Sequence, residues 1–370
     1  VHIRTVQNKR DLADFIRLPY RLYRQDPVWV PPLRSEQWNQ FDPKRNPMLD
    51  HCEYALFLAQ EGSQVIGRIS AFIDRLALDW WKETIGLFGS LECAENEQAA
   101  SMLLSSARDW LLERGMKAMR GPWSFTSQEW GLVVEGFTPP PVIMAPYNPP
   151  RYNDYLHNFG LRKIKDLMVY YVDSREGYKI PERYLRLTNR IQERLKIRVR
   201  SVDMRNLERD ISSFVHLANR SIANNWGFYP VTEAEGKAVA RDIRPIVDPK
   251  LLLFAEDAKG EAIGFAMALP DVNTLLKGLD GRLFPFGWLK LLIGLPRIRQ
   301  YRMWALGVIP EYHGKAVDAL LYRRLYELLA HRDVRLEVNY VLEDNYPMNN
   351  AIKNLGAKNL RRYRVYQMDI

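Results

Sequence analysis

Between residues 302–308, which read as a strand, and residues 316–330, which read as a helix, the chain runs Glu311-Tyr312-His313-Gly314-Lys315-Ala316. A turn in this position does its chemistry through the backbone. The first N–H groups of a helix have no partner within it, and together with the helix dipole they hold phosphate oxygens. Gly314 and Ala316 let the backbone approach an anion closely, Lys315 adds positive charge, and Val308, Tyr312 and His313 frame the turn. A glycine ahead of a helix is also an ordinary turn residue, so the loop alone leaves both readings open.

Groups able to move a proton lie in the same half of the chain. Asp271 ends a strand, and Glu337 and Asn339, two apart on another strand, share one face of a sheet. Asp271 is the first choice of general base and Glu337 the second; a strand glutamate is more often paired or solvated than catalytic. Tyr229 and Tyr346 are the candidate acids. Asn225-Trp226-Gly227-Phe228-Tyr229-Pro230 lies between two helices. Its amides and aromatics, with Asn273, either position a substrate amine and its hydroxyls or plug the core.

The elements that must position these groups follow from periodicity. In the first half, residues 11–23 carry apolar side chains at helical spacing, and a Pro/Trp-rich stretch over residues 26–32 cannot be helix interior. Strands are read at 1–6, 54–59, 65–73, 84–91 and 118–121. A long helix over 97–114 stops at Gly115. A Trp/Pro/Gly-rich loop containing Glu129, Trp130 and Glu135 runs to about residue 150; loops this long are usually functional or lids. A helix at 152–159 and a strand at 164–172 close this half. The second half repeats the order: strand 197–202, helices 207–223 and 233–246, strands 251–256, 262–269 and 302–308, helix 316–330, strand 335–341, helix 347–355 and strand 361–368. Two passes through one element order predict a duplicated mixed α/β domain, divided into 1–175 and 176–370. A charged helix over 178–196 is positioned to brace them.

Bulk properties set the frame. A chain of 370 residues fits two ordinary domains, and 47% hydrophobic with 12% aromatic residues is globular, not disordered. Two cysteines, Cys52 and Cys93, exclude a disulfide framework, and six scattered histidines give no metal-binding spacing. No metal is therefore expected. No stretch reaches the ~18 apolar residues of a membrane-spanning helix, and a reducing cytoplasm is the simplest compartment. A net charge of +9 favours anionic partners: a phosphorylated cofactor, an anionic membrane face or RNA.

The element order resembles the GNAT acyltransferase fold, an α/β fold of α+β type with a mixed, mostly antiparallel sheet flanked by helices. The second half carries its local signatures. The family holds the pyrophosphate of CoA with a loop of pattern Arg/Gln-x-x-Gly-x-Gly/Ala, matched here at Gly314 and Ala316 and departed from at Glu311. Asn345, ahead of Gly356, matches the family's asparagine, whereas its usual catalytic tyrosine falls at Ile352. The resemblance implies acyl-CoA or CoA as cosubstrate. In the first half the corresponding loop, Cys93-Ala94-Glu95-Asn96-Glu97, is acidic and glycine-free, which reads as a degenerate repeat. Nearly end to end, the chain also resembles a bacterial group of tandem GNAT-like proteins. The stretches are Leu18-Pro19-Tyr20-Arg21-Leu22-Tyr23, residues 26–33, Gly121-Pro122-Trp123-Ser124-Phe125, Val134-Glu135-Gly136-Phe137, Pro146-Tyr147-Asn148, residues 225–230 and Pro270-Asp271-Val272-Asn273. Through that group it is similar to bacterial ceramide synthases, which implies transfer of a fatty acyl group to a sphingoid-base amine.

Residues 274–297 form an insertion that the basic fold does not need. It is apolar and aromatic, and apart from Asp280 its charges are Lys and Arg. Too short to span a bilayer, it suits a membrane-surface segment or pocket lid; burial against the second domain is the alternative. The leading expectation is an acyl-CoA-dependent N-acyltransferase acting on an amine, a small or lipid-like one, in the cytoplasm with peripheral contact to the inner membrane. Aminoacyl transfer from tRNA and a degenerate, non-enzymatic ligand- or membrane-binding role are the alternatives. No DNA partner is expected, because no recognition helix is visible.

Overall fold

The computed structural model describes residues 1–125 and 130–370; Glu129 of the long loop lies outside the described residues. Two compact units form. One gathers Val1–Asp166, Leu275–Lys290 and Arg361–Ile370, and the other Leu167–Thr274 and Leu291–Leu360. The sequence placed the division at residues 175 and 176, with the insertion in the second half. The units instead take discontinuous segments, and 275–290 falls in the first.

The first unit begins with β1 (His2–Thr5), α1 (Lys9–Leu22), α2 (Arg34–Asn39), β2 (Cys52–Glu61), β3 (Gln64–Asp74) and α3 (Arg75–Trp81). It continues with β4 (Ile85–Cys93), α4 (Glu97–Glu113), β5 (Ala118–Gly121), β6 (Leu132–Glu135) and α5 (Arg151–Phe159). Helix α1 starts where the Asn8 side chain accepts from the N–H groups of Arg10 and Asp11, and α5 ends at Gly160 with φ 111°. The stripe Ala99, Ala100, Leu103, Leu104, Ala107 and Leu111 of α4, spaced three and four apart, packs on Phe57, Ile69, Ala71 and Phe88 of the sheet. Apolar spacing in the sequence gives no sign of α2, α3 or β6. Each is too short to show a period, and α3 is held by its Asp74 cap. In the long loop, Trp130 stacks on Trp123 at 4.3 Å and Glu135 pairs with Arg362, so these two residues are used inside the first unit.

The second unit takes residues 167–173 of β7 (Arg162–Asp173), then α6 (Glu182–Leu195), β8 (Arg198–Ser201), α7 (Leu207–Ser221), α8 (Glu233–Ile243), β9 (Leu252–Glu256) and β10 (Ala262–Pro270). After the insertion, with α9 (Asn273–Leu276) and α10 (Gly287–Gly294), come β11 (Gln300–Val308), α11 (Val317–Leu329), β12 (Arg335–Leu342), α12 (Tyr346–Asn354) and β13 (Lys358–Asp369). From residue 361 onward, β13 belongs to the first unit. The charged helix α6 buries Thr188 and Ile191 and lies along α11, where Arg323 bonds Asn189.

In the first unit the strand order is β1-β2-β3-β4-β5-β13, with β6 also on β13; in the second it is β7-β12-β11-β10-β9-β8. Among the described residues, neighbouring strands within each unit pair antiparallel except β4–β5 and β11–β12. Each parallel pair is joined by a helix, α4 or α11, as a parallel crossover requires. This is the mixed, mostly antiparallel α/β architecture that the sequence predicted. Within the first unit, Gly281 (φ 70°) lets the insertion settle on the Pro/Trp-rich segment: a Cβ there would lie 2.4 Å from the Pro32 carbonyl oxygen. The Arg34 N–H bonds the Gly281 carbonyl at 2.9 Å, and its guanidinium meets Asp280 at 2.7 Å.

Candidate active site

Strands β11 and β12 share four parallel rungs, from Gln300 with Arg335 to Met303 with Val338, and then part. Both bend at that level. Against β10 the register jumps from Ala305 to Met303, leaving Trp304 as an extra residue. Against β7 it jumps from Val338 to Val341, leaving Asn339 and Tyr340. A bulge bends its strand and re-aims its side chains, so two bulges on either side of one fork open a gap between the strands. The first unit's parallel pair also parts, after three rungs. There the chain fills its own gap: the Trp123 N–H bonds the Phe88 carbonyl at 2.8 Å. Trp123 is 1% exposed and Phe125 0%. At the second fork, Trp304, Ala305 and Leu306 stay only partly buried.

The predicted loop follows the carboxyl end of this same β11. Gly314 has φ 71° with nothing within 4 Å of where a Cβ would stand, and Ala316 takes the left-handed conformation (φ 56°) as N-cap of α11. Ala316 itself has no side chain able to cap the helix; the Asp318 carboxyl in the first turn accepts from the N–H groups of Asp318 and Ala319. In the first unit the start of α4 is closed by Asn96, which accepts from the Ala99 N–H at 2.9 Å. His313 bonds the Val308 carbonyl at 2.7 Å; a carbonyl only accepts, so Nε2 carries the proton. Lys315 rests 4.5 Å from the Tyr312 ring centroid. Glu311, the departure from the family's basic residue, is paired with Arg220 of α7, which offsets its charge. Burial pushes the Asp318 carboxyl above its ordinary range, the direction that lessens negative charge at the helix start. Two left-handed residues, Gly314 and Ala316, flank Lys315 just ahead of a helix, and such a turn fits a diphosphate.

Below the fork lies a buried charged cluster. Glu337 is 0% exposed and stands on the rung opposite Arg302, itself 1% exposed. Gln300 Nε2 donates to Glu337 at 3.3 Å and Arg335 approaches it to 3.7 Å. The Arg302 guanidinium lies 5.2 Å from the centroid of the Tyr340 ring at the bulge.

The remaining candidates separate into groups. Asn225, Trp226 and Tyr229 follow the end of α7, whose Phe214 stacks on Trp304 at 6.3 Å. The helix approaches β11 so closely that a Cβ on Gly307 would lie 2.1 Å from Ser221 Oγ. Asn345 caps α12 by accepting from the Met348 N–H at 3.2 Å, and Tyr346 beside it is 69% exposed. Asp271 and Asn273 lie at the other end of the sheet. The Asp271 N–H bonds the Gln300 carbonyl, and its carboxylate accepts from the Asn273 N–H at 3.2 Å. From Gln300 to the bulge at Trp304 is four residues, about 13 Å of strand, and Val308 is as far again. Asp271→Ala is therefore expected to cost about 1 kcal/mol as a lost cap and to leave turnover nearly unchanged. A drop in kcat of about 100-fold would make Asp271 the base after all.

Sequence reasoning gave no role to Arg302, Trp304, Asn339 or Arg220. Asn339 had one signal, its shared strand face with Glu337; the bulges had none. In the first unit His51, Cys52 and Asp74 come together, their ligand atoms within 4.8 Å. Asp74 already caps α3 and bonds His51 Nδ1 at 2.9 Å, and burial pushes the Cys52 thiol up to about 12. A neutral thiol beside an engaged carboxylate reads as a helix cap.

Two successive units of one element order, with a forked parallel pair in the second, define a tandem GNAT-type protein. No family model matches the chain. It is 32% identical over 376 residues to Protein YghO of Escherichia coli (strain K12), covering 100% of this chain and 95% of that one. It is 33% identical over 375 residues to the bacterial ceramide synthase of Caulobacter vibrioides, covering 98% and 96%. A tandem GNAT protein from the clavulanic acid biosynthesis pathway shares the fold at a TM-score of 0.58 and 12% identity, over 100% of this chain and 98% of that one. The chain belongs to the bacterial family that holds the first two relatives, and by fold and family it is a GNAT-type N-acyltransferase.

Proposed function

We propose that this protein transfers a long-chain acyl group from acyl-CoA to the amine of a lipid-like amino alcohol, working at a membrane surface. The observation that carries the reading is the second unit's β11. One strand has a fork midway along it and, beyond its carboxyl end, a left-handed Gly314–Ala316 turn that leads into a helix. Gly314, Lys315, Ala316 and the first turn of α11 would hold the diphosphate, and the fork would receive the acyl thioester, which supplies an activated acyl group. Kinship with a protein named a ceramide synthase supports a long-chain amine as acceptor.

The insertion supports the membrane setting. Phe284 is 78% exposed, Phe286 77%, Leu292 64% and Ile293 53%, with Trp288 and Leu289 also exposed. Lys277, Arg282 and Lys290 accompany them, and the single acid, Asp280, is paired with Arg34. Among the described residues no helix is long and apolar enough to cross a membrane. Exposed aromatics flanked by cations match an anionic bilayer surface. Replacing Leu289, Leu292 and Ile293 by serine is expected to lower flotation with anionic vesicles about tenfold. Undiminished flotation would remove the surface role.

The direct test mixes purified protein, palmitoyl-CoA and a long-chain amino alcohol, and follows thiol release together with the mass of the product. One N-acyl amide per thiol released is the expected result. No thiol release, with no heat on titrating palmitoyl-CoA, would overturn the reading.

A further inference from the structure

We propose that the Asn339 side-chain carboxamide is a catalytic group of the transfer, bonding the developing oxyanion and the attacking nitrogen at once. The inference rests on the fork of the second unit being the transfer site.

Asn339 is the first residue of β12 beyond its last rung with β11, across the fork from Trp304. It is 5% exposed, and neither Nδ2 nor Oδ1 has a hydrogen-bond partner among the described residues. Leaving a buried donor or acceptor without a partner is costly for each group, because its desolvation is not repaid. The neighbouring positions show that apolar side chains are accommodated here: Val341 on the same strand is buried against Tyr170 and Ile352. A leucine at 339 would avoid the penalty. A buried amide without a protein partner among the described residues, at the fork of the second unit, has the character of a group whose partners arrive with the substrate.

The chemistry specifies those partners. The amine lone pair attacks the thioester carbonyl carbon and forms the C–N bond, and the C=O π pair moves onto oxygen. The resulting carbon carries an oxyanion and an ammonium nitrogen as neighbours on one atom. A carboxamide carries an N–H donor and a carbonyl acceptor on one carbon, at much the same separation. Nδ2 donates to the oxyanion while Oδ1 accepts from the ammonium N–H. Both bonds gain charge as the intermediate forms, so both favour the transition state over bound substrates. On collapse the oxygen pair re-forms C=O, the C–S bond breaks with its electrons on sulfur, and the nitrogen's proton ends on that thiolate. The products are one amide and one thiol. A carboxamide is neutral across the working range, so its contribution carries no titration of its own.

The experiment compares wild type with Asn339→Leu and Asn339→Asp by steady-state kinetics per folded molecule and by thermal unfolding. Asn339→Leu is expected to lose about 100-fold in kcat, with KM for acyl-CoA little changed. Its unfolding midpoint should stay level or rise by a few degrees, because an unpaired amide has been removed. Asn339→Asp keeps the shape but loses the donor, and should fall in kcat to a similar extent. A leucine variant with wild-type kcat overturns the inference. So does one whose midpoint drops by several degrees, since that would mean the amide is bonded within the protein. Wild type inert toward every amine sinks the transfer reading itself, whereas an active wild type with an equally active leucine variant sinks only the role of Asn339.

Discussion

The Gly314→Val protein is expected to bind acyl-CoA at least about 100-fold more weakly than wild type while keeping its fold. Steric clash at the Cβ is not the cause, because no atom of the described residues lies within 4 Å of it. The backbone is. At φ 71° an L-residue with a branched Cβ is strained by about 1–2 kcal/mol, and the turn relaxes by rotating that residue out of the left-handed region. The rotation re-aims the N–H groups between Gly314 and the start of α11. Charge-assisted hydrogen bonds contribute about 1.5–3 kcal/mol each, so misdirecting two of them gives the stated loss. Calorimetric titration with palmitoyl-CoA measures it, with Gly314→Ala falling between the two. An unchanged dissociation constant in the valine variant would detach the diphosphate from this loop.

Glu337→Leu should have the largest effect on stability. The carboxylate is fully buried, opposite buried Arg302 and within 3.7 Å of Arg335. Removing one partner from a buried charged cluster leaves the others uncompensated and costs about 3–5 kcal/mol. For a unit of this size that lowers the unfolding midpoint by roughly 10 °C. Glu337→Gln keeps the shape and separates the two roles open to this residue. If Glu337 positions Arg302 below the fork, rate and stability fall together and modestly. If it is the general base, kcat alone falls by about 100-fold or more. A leucine variant as stable as wild type would show that the cluster holds nothing together.

Much of the site was legible because its signals are local. A glycine and an alanine ahead of an amphipathic helix mark a backbone turn without knowledge of any other segment, and the structure has Gly314 and Ala316 in left-handed conformations at the start of α11. Likewise the acidic Cys93–Glu97 loop read as unsuited to phosphate, and Asn96 closes that helix start. Asp271 shows the limit. Its type and its place at a strand end suggested a base, yet strand direction put it at the foot of β11, where it caps a turn. Direction within a sheet depends on which strands pair, and no neighbouring residue encodes that.

By itself, then, the sequence determined the order of the longer helices and strands, the duplication, the glycine turn ahead of α11 and the apolar, cationic composition of residues 274–297; that Phe284, Phe286 and Leu292 stand exposed came from the structure. Periodicity, capping residues and glycine conformations act over a few residues, and they survive without a tertiary context. Only the folded chain decided that residues 167–173 and 361–370 belong to different units, that 275–290 settles on the Pro/Trp segment, and that β11 and β12 part at Met303 and Val338. Those outcomes are set by register and bulges between segments far apart in the chain. A one-residue shift of register there changes which residues face each other across the sheet and alters nothing in the local pattern.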